Sequence, residues 1–244
     1  MPEVANRTPV RIAVIDSGVQ AAHPHIDAAR LEQGVDIAKD GTLACGSDCG
    51  VDRLGHGTAV TAAIQQWAPD ARIVPLRIFD GALRASPRAL VAAIDWCATA
   101  GVDLINLSLG ATSPAHGPVL GAACERALAA GAVTVAACEA DGVPCFPGVL
   151  PGVLGVGLDW DCPRENWRWS DAEEGKNRLF ASGHPRPVPG VPPRRNLHGI
   201  SFAVANITGF SAAILAQQNS PLPIGYRRLE LLRGSFAQGV CAPA

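Results

Sequence analysis

Apolar positions along this chain fall into two kinds of stretch. One kind is a short, nearly continuous apolar run closed by a turn, as in residues 10–16 (VRIAVID), which end in Asp16-Ser17-Gly18. Such a run is expected of a parallel strand buried on both faces. Residues 34–38, 71–79, 102–109, 132–137 and 153–158 repeat it, and 178–181 predict one more short strand. The other kind is longer and helical in period. It covers 56–67, then 86–100, where Ser86 caps, Pro87 opens and Gly101 stops the helix, the expected asymmetry. It recurs at 119–130, stopped by Gly131, from Ser201 to about 218, and at about 225–236. The polar or Gly- and Pro-rich segments 19–33, 39–54, 162–178 and 184–195 are expected to be loops.

Strands alternating with helices predict an α/β fold with a mostly parallel central sheet and helices on both faces. Neither an internal repeat nor a dividing linker is visible, so a single domain over 1–244 is expected. In sheets of this kind, function gathers at the carboxyl ends of the strands. Asp16 stands at one such end, while His56 and Ser201 each start a helix after a loop, so the three can converge.

Composition narrows the function classes. The chain has 244 residues, 48% hydrophobic and 17% charged, with a net charge of −2. That balance offers no electrostatic case for nucleic acid or an anionic membrane. With no 18-residue apolar run and no n-region or h-region at the start, the expected location is the cytoplasm. The eight cysteines (45, 49, 97, 124, 138, 145, 162 and 241) are too sparse for a disulfide scaffold, and reduced thiols are expected. Cys45-Gly-Ser-Asp-Cys49 is either a plain loop or half of a zinc site, and no second pair completes it.

In Gly199-Ile200-Ser201-Phe202-Ala203 a small-residue turn delivers a serine onto the start of a helix. Free N–H groups and the positive helix end there suit a nucleophile whose reaction creates an oxyanion. The same serine could simply be an N-cap. The single glycine in Asp16-Ser17-Gly18-Val19 argues against a phosphate loop, and so against an unrelated nucleotide enzyme.

Four blocks in order resemble the signature blocks of subtilisin-like serine peptidases. They are Ala13-Val14-Ile15-Asp16-Ser17-Gly18-Val19, Gly55-His56-Gly57-Thr58, Asn106-Leu107-Ser108-Leu109-Gly110 and Gly199-Ile200-Ser201-Phe202-Ala203. Phe146-Pro147-Gly148 followed by Val153-Leu154-Gly155-Val156-Gly157 adds to the likeness, which covers about residues 10–218. The resemblance implies a subtilisin-like three-layer α/β/α fold and a serine endopeptidase. Ser201 would be its nucleophile, His56 its general base and Asp16 the partner that holds the imidazole. It also implies that a substrate peptide adds as a strand along Ser108, Leu109 and Gly110, and that Ala137, Cys138 and Cys145 line the adjoining side-chain pocket. Glu139 stands where the family has a small residue. It is either a solvated loop side chain or a carboxylate suited to Lys or Arg.

Departures from the family pattern shape the expectation further. By direct alignment the oxyanion asparagine is replaced by Ala140, or with a one-residue shift by Glu139, whose carboxyl could help only if protonated. The threonine before the nucleophile is replaced by Ile200, and the proline four residues after it by Ala205. With one oxyanion donor lost, a slow and selective peptidase is expected, or alternatively a catalytically silent peptide-binding module that partners an active protease. Only fifteen residues precede Asp16, so neither signal peptide nor pro-domain is expected. The loop that holds calcium in many relatives is missing, because Gln65-Gln66-Trp67-Ala68-Pro69 runs straight on, and no metal or cofactor is implied. A protease without a zymogen form needs another restraint, either low intrinsic activity or a narrow substrate, such as the leader of a modified precursor peptide.

Overall fold

The computed structural model of the chain describes residues 8–79, 81–170, 178–218 and 222–239. Residues 1–7 and Cys241, which enter the reading above, lie outside them. The strands are β1 (Arg11–Asp16), β2 (Val35–Ile37), β3 (Leu43–Cys45), β4 (Arg72–Arg77), β5 (Leu104–Leu107) and β6 (Val133–Ala137). They continue with β7 (Glu139–Ala140), β8 (Val143–Pro144), β9 (Leu154–Leu158), β10 (Trp167–Ser170) and β11 (Arg178–Ala181). The helices are α1 (His56–Trp67), α2 (Pro87–Ala100), α3 (Gly117–Ala129), α4 (Ile200–Gln217) and α5 (Tyr226–Ala237).

Nine strands form one sheet in the order β10-β11-β9-β6-β5-β1-β4-β2-β3. Its inner pairs are parallel, and the antiparallel pairs, β10 with β11 and β2 with β3, lie at the two edges. Successive side chains on a strand point to opposite faces, which explains the unbroken apolar runs. On β1, Ile12 and Val14 join the core beneath α1, α4 and α5, while Ala13 and Ile15 join the core beneath α2 and α3. Two cores sandwich the sheet, giving three layers, α/β/α.

Helix α4 belongs wholly to the first core. By length and composition it could cross a membrane, but 72% of it is buried inside the protein, as expected of a helix that is apolar all round. Both ends of α2 follow the sequence signals: the Ser86 side chain accepts from Ala89 N, and Gly101 turns left-handed at φ 68°.

Three elements lie in segments that read as loop. The exposed edge strand β3 is one. The second is β10, where Trp167 and Trp169 pack on the core beside α4 and Arg168 between them lies over the Phe180 ring at 4.2 Å. The third is the β7–β8 hairpin, which stands beside the site described next.

Candidate active site

Strand β1 ends at Asp16, which is fully buried and accepts from Ser17 N at 2.7 Å. The chain then turns at Gly18, φ 95°, and the start of α1 presses against that turn. A Cβ on Gly57 would fall 2.2 Å from the Gly18 carbonyl, so only glycine permits the approach. The approach brings His56, first residue of α1, onto Asp16. His56 Nδ1 lies 2.7 and 2.9 Å from the two carboxylate oxygens. A carboxylate cannot donate, so Nδ1 carries the proton and Nε2 keeps its lone pair. Burial pushes the imidazole pKa down, but the hydrogen bond and charge of Asp16, joined by the charge of Asp52, outweigh it and hold the pKa above 6.5.

The N-terminus of α1 has no cap of its own, because Gly55 sits at the N-cap position. Two side chains from outside the helix take over its free N–H groups. Ser17 Oγ accepts from Gly57 N at 2.9 Å. Asp52 accepts from Leu54 N and Gly55 N with one oxygen, and from Thr58 N and the Thr58 hydroxyl with the other. Burial pushes the Asp52 pKa up, but these four bonds outweigh it and keep the pKa below 3.8. Its stabilisation is therefore present above the ordinary carboxylate range and lost as pH falls through that lowered value. Asp52→Ala is expected to cost about 2–4 kcal/mol, since it orphans several buried donors at once. Thermal unfolding checks this, and a variant as stable as the wild type would show that water replaces the carboxylate.

Helix α4 starts from Gly199, at φ 141°. Ser201 is its second residue and not its N-cap, and no side chain caps this helix, so the N-cap alternative is overturned. Among the described residues the Ser201 N–H has no acceptor. It stands free at the positive end of α4. Ser201 Oγ donates to Ser108 O at 3.3 Å, and Ser108 Oγ donates to Ser201 O at 3.4 Å. On the other side, the ring of Phe202 lies 5.8 Å from that of His56. Ser201 thus lies against Ser108, just past the end of β5, and its neighbour in sequence, Phe202, is the residue that reaches the His56 ring. Under Ser201, Thr208 Oγ1 donates to Asn106 Oδ1 at 3.0 Å and Asn106 Nδ2 donates to Ser108 Oγ at 2.9 Å. This buried chain of bonds ties α4 to β5 just below the serine.

Of the residues expected to form the substrate edge and pocket, Ser108 contacts Ser201 directly. Ser108 and Ala137 are buried, Leu109 and Gly110 half-buried. Gly110 packs so tightly that a Cβ would fall 2.4 Å from Phe146 O and 2.6 Å from Cys145 Sγ. In the β7–β8 hairpin, Glu139 opposes Pro144 and Ala140 opposes Val143. Side chains alternate along such a ladder, so Glu139 faces away from Ala140. Leu158 N approaches Glu139 Oε1 at 3.5 Å. Glu139 is half-buried in β7. Its carboxylate is turned toward the end of β9.

Among the described residues, no three His, Cys, Asp or Glu side chains converge as a ligand set for a metal ion. Cys45 ends β3 and Cys49 closes a turn onto Gly46 O. Cys97 and Cys124 are buried within α2 and α3.

The sequence reading missed Asp52, Ser17 and the Asn106–Thr208 pair. A signal existed for Asp52, an acidic side chain just ahead of a helix whose N-cap is glycine. For Asn106 and Thr208, 102 positions apart, there was none.

The family model described as the subtilase family matches residues 7–156. Subtilisin DY of Bacillus licheniformis is 24% identical over 235 residues, covering 85% of this chain and 77% of that protein. Thermitase of Thermoactinomyces vulgaris is 31% identical over 160 residues, covering 63% of this chain and 56% of that protein. Among solved structures, the prenylagaramide maturation protease PagA superposes with a TM-score of 0.63 at 26% identity, over 86% of this chain and 76% of that one.

Proposed function

The chain belongs to the subtilase family of serine-type endopeptidases, and we propose that it hydrolyses peptide bonds through Asp16, His56 and Ser201. The observation that carries this reading is His56 Nδ1 held at 2.7 Å on a fully buried Asp16. It is supported by Ser201 standing in the first turn of α4, where the next residue, Phe202, contacts the His56 ring. The reaction requires Ser201 Oγ to leave the Ser108 carbonyl and bond to His56 Nε2, which accepts its proton as Oγ attacks the substrate carbonyl. Asp16 stabilises the imidazolium, and His56 then returns the proton to the leaving amine. The Ser201 N–H and the α4 terminus receive the oxyanion. Ala140 supplies no side-chain donor, and losing one such donor typically costs about 10²–10³ in turnover. A slow enzyme follows, one that depends on binding its peptide as an added strand along Ser108, Leu109 and Gly110.

Slow turnover and a shaped groove suit precursor processing in the cytoplasm better than digestion of arbitrary proteins. Likeness to a maturation protease supports that substrate class. A second reading, a silent peptide-binding partner of an active protease, draws on Ala140 and on the bond between Ser201 Oγ and Ser108 O. Fluorophosphonate labelling read by intact mass separates the two. The peptidase reading requires labelling of the wild type that is lost in Ser201→Ala and in His56→Ala. A folded wild type that stays unlabelled favours the binding module.

The imidazole must be neutral to act as base, and its pKa is raised. Activity is therefore expected to rise with pH through a midpoint above 6.5. In Asp16→Asn the raising interaction is gone and burial still lowers the pKa, so the residual activity should titrate at lower pH than the wild type. A pH profile of kcat/KM for both proteins checks this. A wild-type midpoint below 6.5 would contradict the assigned Asp16–His56 pairing.

A further inference from the structure

Two cysteines oppose each other at the base of the β7–β8 hairpin. Glu139 pairs with Pro144 and Ala140 with Val143, so the next rung is Cys138 opposite Cys145. The Cys145 N–H donates to Cys138 O at 3.0 Å. The tip is Asp141-Gly142, at φ 51° and 78°, the two left-handed residues that a tight type I′ connection needs. That turn fixes the register. Directly opposed residues of an antiparallel ladder lie about 4.5–5.5 Å apart at Cα and share a face. A disulfide takes Cα separations of about 4.4–6.8 Å.

The frame around the pair is rigid. The Cys138 N–H donates to Val156 O at 2.9 Å. Gly148 passes so close that a Cβ on it would fall 2.0 Å from the Ala137 carbonyl. Cys145 Sγ packs against Gly110, on the edge where the substrate strand is proposed to add. Both residues carry thiols in this structure.

We propose that Cys138 and Cys145 form a dithiol–disulfide couple, a modification site for low-molecular-weight disulfides that gates the cleft beside Ser201. The half-buried Cys138 reacts first. Its thiolate attacks one sulfur of the small disulfide, forms a mixed disulfide and releases one small thiolate. The Cys145 thiolate then attacks the Cys138 sulfur and releases the second. The protein dithiol gives up two electrons and two protons, and the small disulfide becomes two thiols. Burial pushes the Cys145 thiol pKa up, which lowers the thiolate fraction available to the second step. Closing the bridge draws the Cys145 sulfur off Gly110 and fixes the strand that carries Ala140. The bridge itself is independent of the peptidase reading, and its effect on turnover rests on that reading.

The test uses the whole chain in a Cys45→Ser/Cys49→Ser background, which removes the other closely spaced pair. The folded protein is incubated with oxidised glutathione, the remaining thiols are alkylated, and the chain is digested by a protease that cleaves before aspartate. Cleavage at Asp141 puts Cys138 and Cys145 on separate peptides. The expected result is a linked peptide pair, preceded by a glutathione adduct on Cys138, with hydrolysis slowed several-fold and both changes reversed by dithiothreitol. Cys138→Ala and, independently, Cys145→Ala should give no linked pair, so one well-folded variant suffices as control. No linked pair from folded protein would overturn the couple. A linked pair with unchanged hydrolysis would overturn the gate. A linked pair in a protein that hydrolyses nothing in either state would overturn the gate and the peptidase reading while the couple stands.

Discussion

Ser201→Ala is expected to lower kcat for a cleavable peptide by roughly 10⁴–10⁶-fold while leaving the protein folded. The hydroxyl makes one long bond, to Ser108 O at 3.3 Å, so its removal should change stability by less than about 1 kcal/mol. His56→Ala should reach a similar floor. The double variant should be no slower than either single one, because base and nucleophile act in the same step and neither works alone. Peptide affinity should survive in Ser201→Ala, since the Ser108–Gly110 edge that would hold the substrate strand is untouched. Steady-state kinetics on the three variants, with titration of the inactive ones by a slowly cleaved peptide, checks all of this. Ser201→Ala retaining turnover within about tenfold of the wild type would mean that another group performs the attack, because losses of true triad members are far larger.

The sequence pattern made the central sheet legible together with Asp16 at the end of β1. His56 and Ser201, at helix starts, stood out instead through the signature blocks around them. Strands β1, β5, β6 and β9 are buried on both faces, so their apolar runs are continuous and end at turns. The residues after those ends lie where a parallel sheet gathers function. What the pattern hid is short or polar. The β7–β8 hairpin has two residues per strand, too few for alternation to show, although Asp141-Gly142 is a hairpin signal by itself. The alternation in Trp167-Arg168-Trp169 was drowned by polar neighbours.

Ser201 illustrates a different limit. Serine is favoured at an N-cap and also suits a nucleophile at a helix start, and its identity does not say which position it holds. Gly199 at φ 141° decides it. With glycine taking the cap, the serine moves one step into the helix, its hydroxyl is released from capping, and its N–H stays free. Asp52 is the converse. In sequence its one signal is its place just ahead of a helix capped by glycine, but in three dimensions it takes four donors and supports the turn that holds His56.

Ala140→Asn is expected to raise turnover by up to about 10²–10³-fold, the range set by one oxyanion donor. Position 140 is suited to the exchange. It shares a hairpin face with Cys138 and Cys145, and Cys145 Sγ packs against Gly110 at the cleft, whereas Glu139 points to the end of β9. An asparagine there would project from the cleft side, and its amide can donate to the same oxygen that the Ser201 N–H receives. The gain should appear in kcat with little change in KM, because the donor strengthens its bond as charge develops on the oxygen. Ala140→Asp, of similar shape but ionised near neutral pH, should give no gain and should slow the reaction further by repelling the oxyanion. If Ala140→Asn leaves kcat unchanged in a protein that labels with fluorophosphonate, a different group already fills the donor role. Slow turnover would then arise in the binding of a particular peptide and not in the oxyanion site.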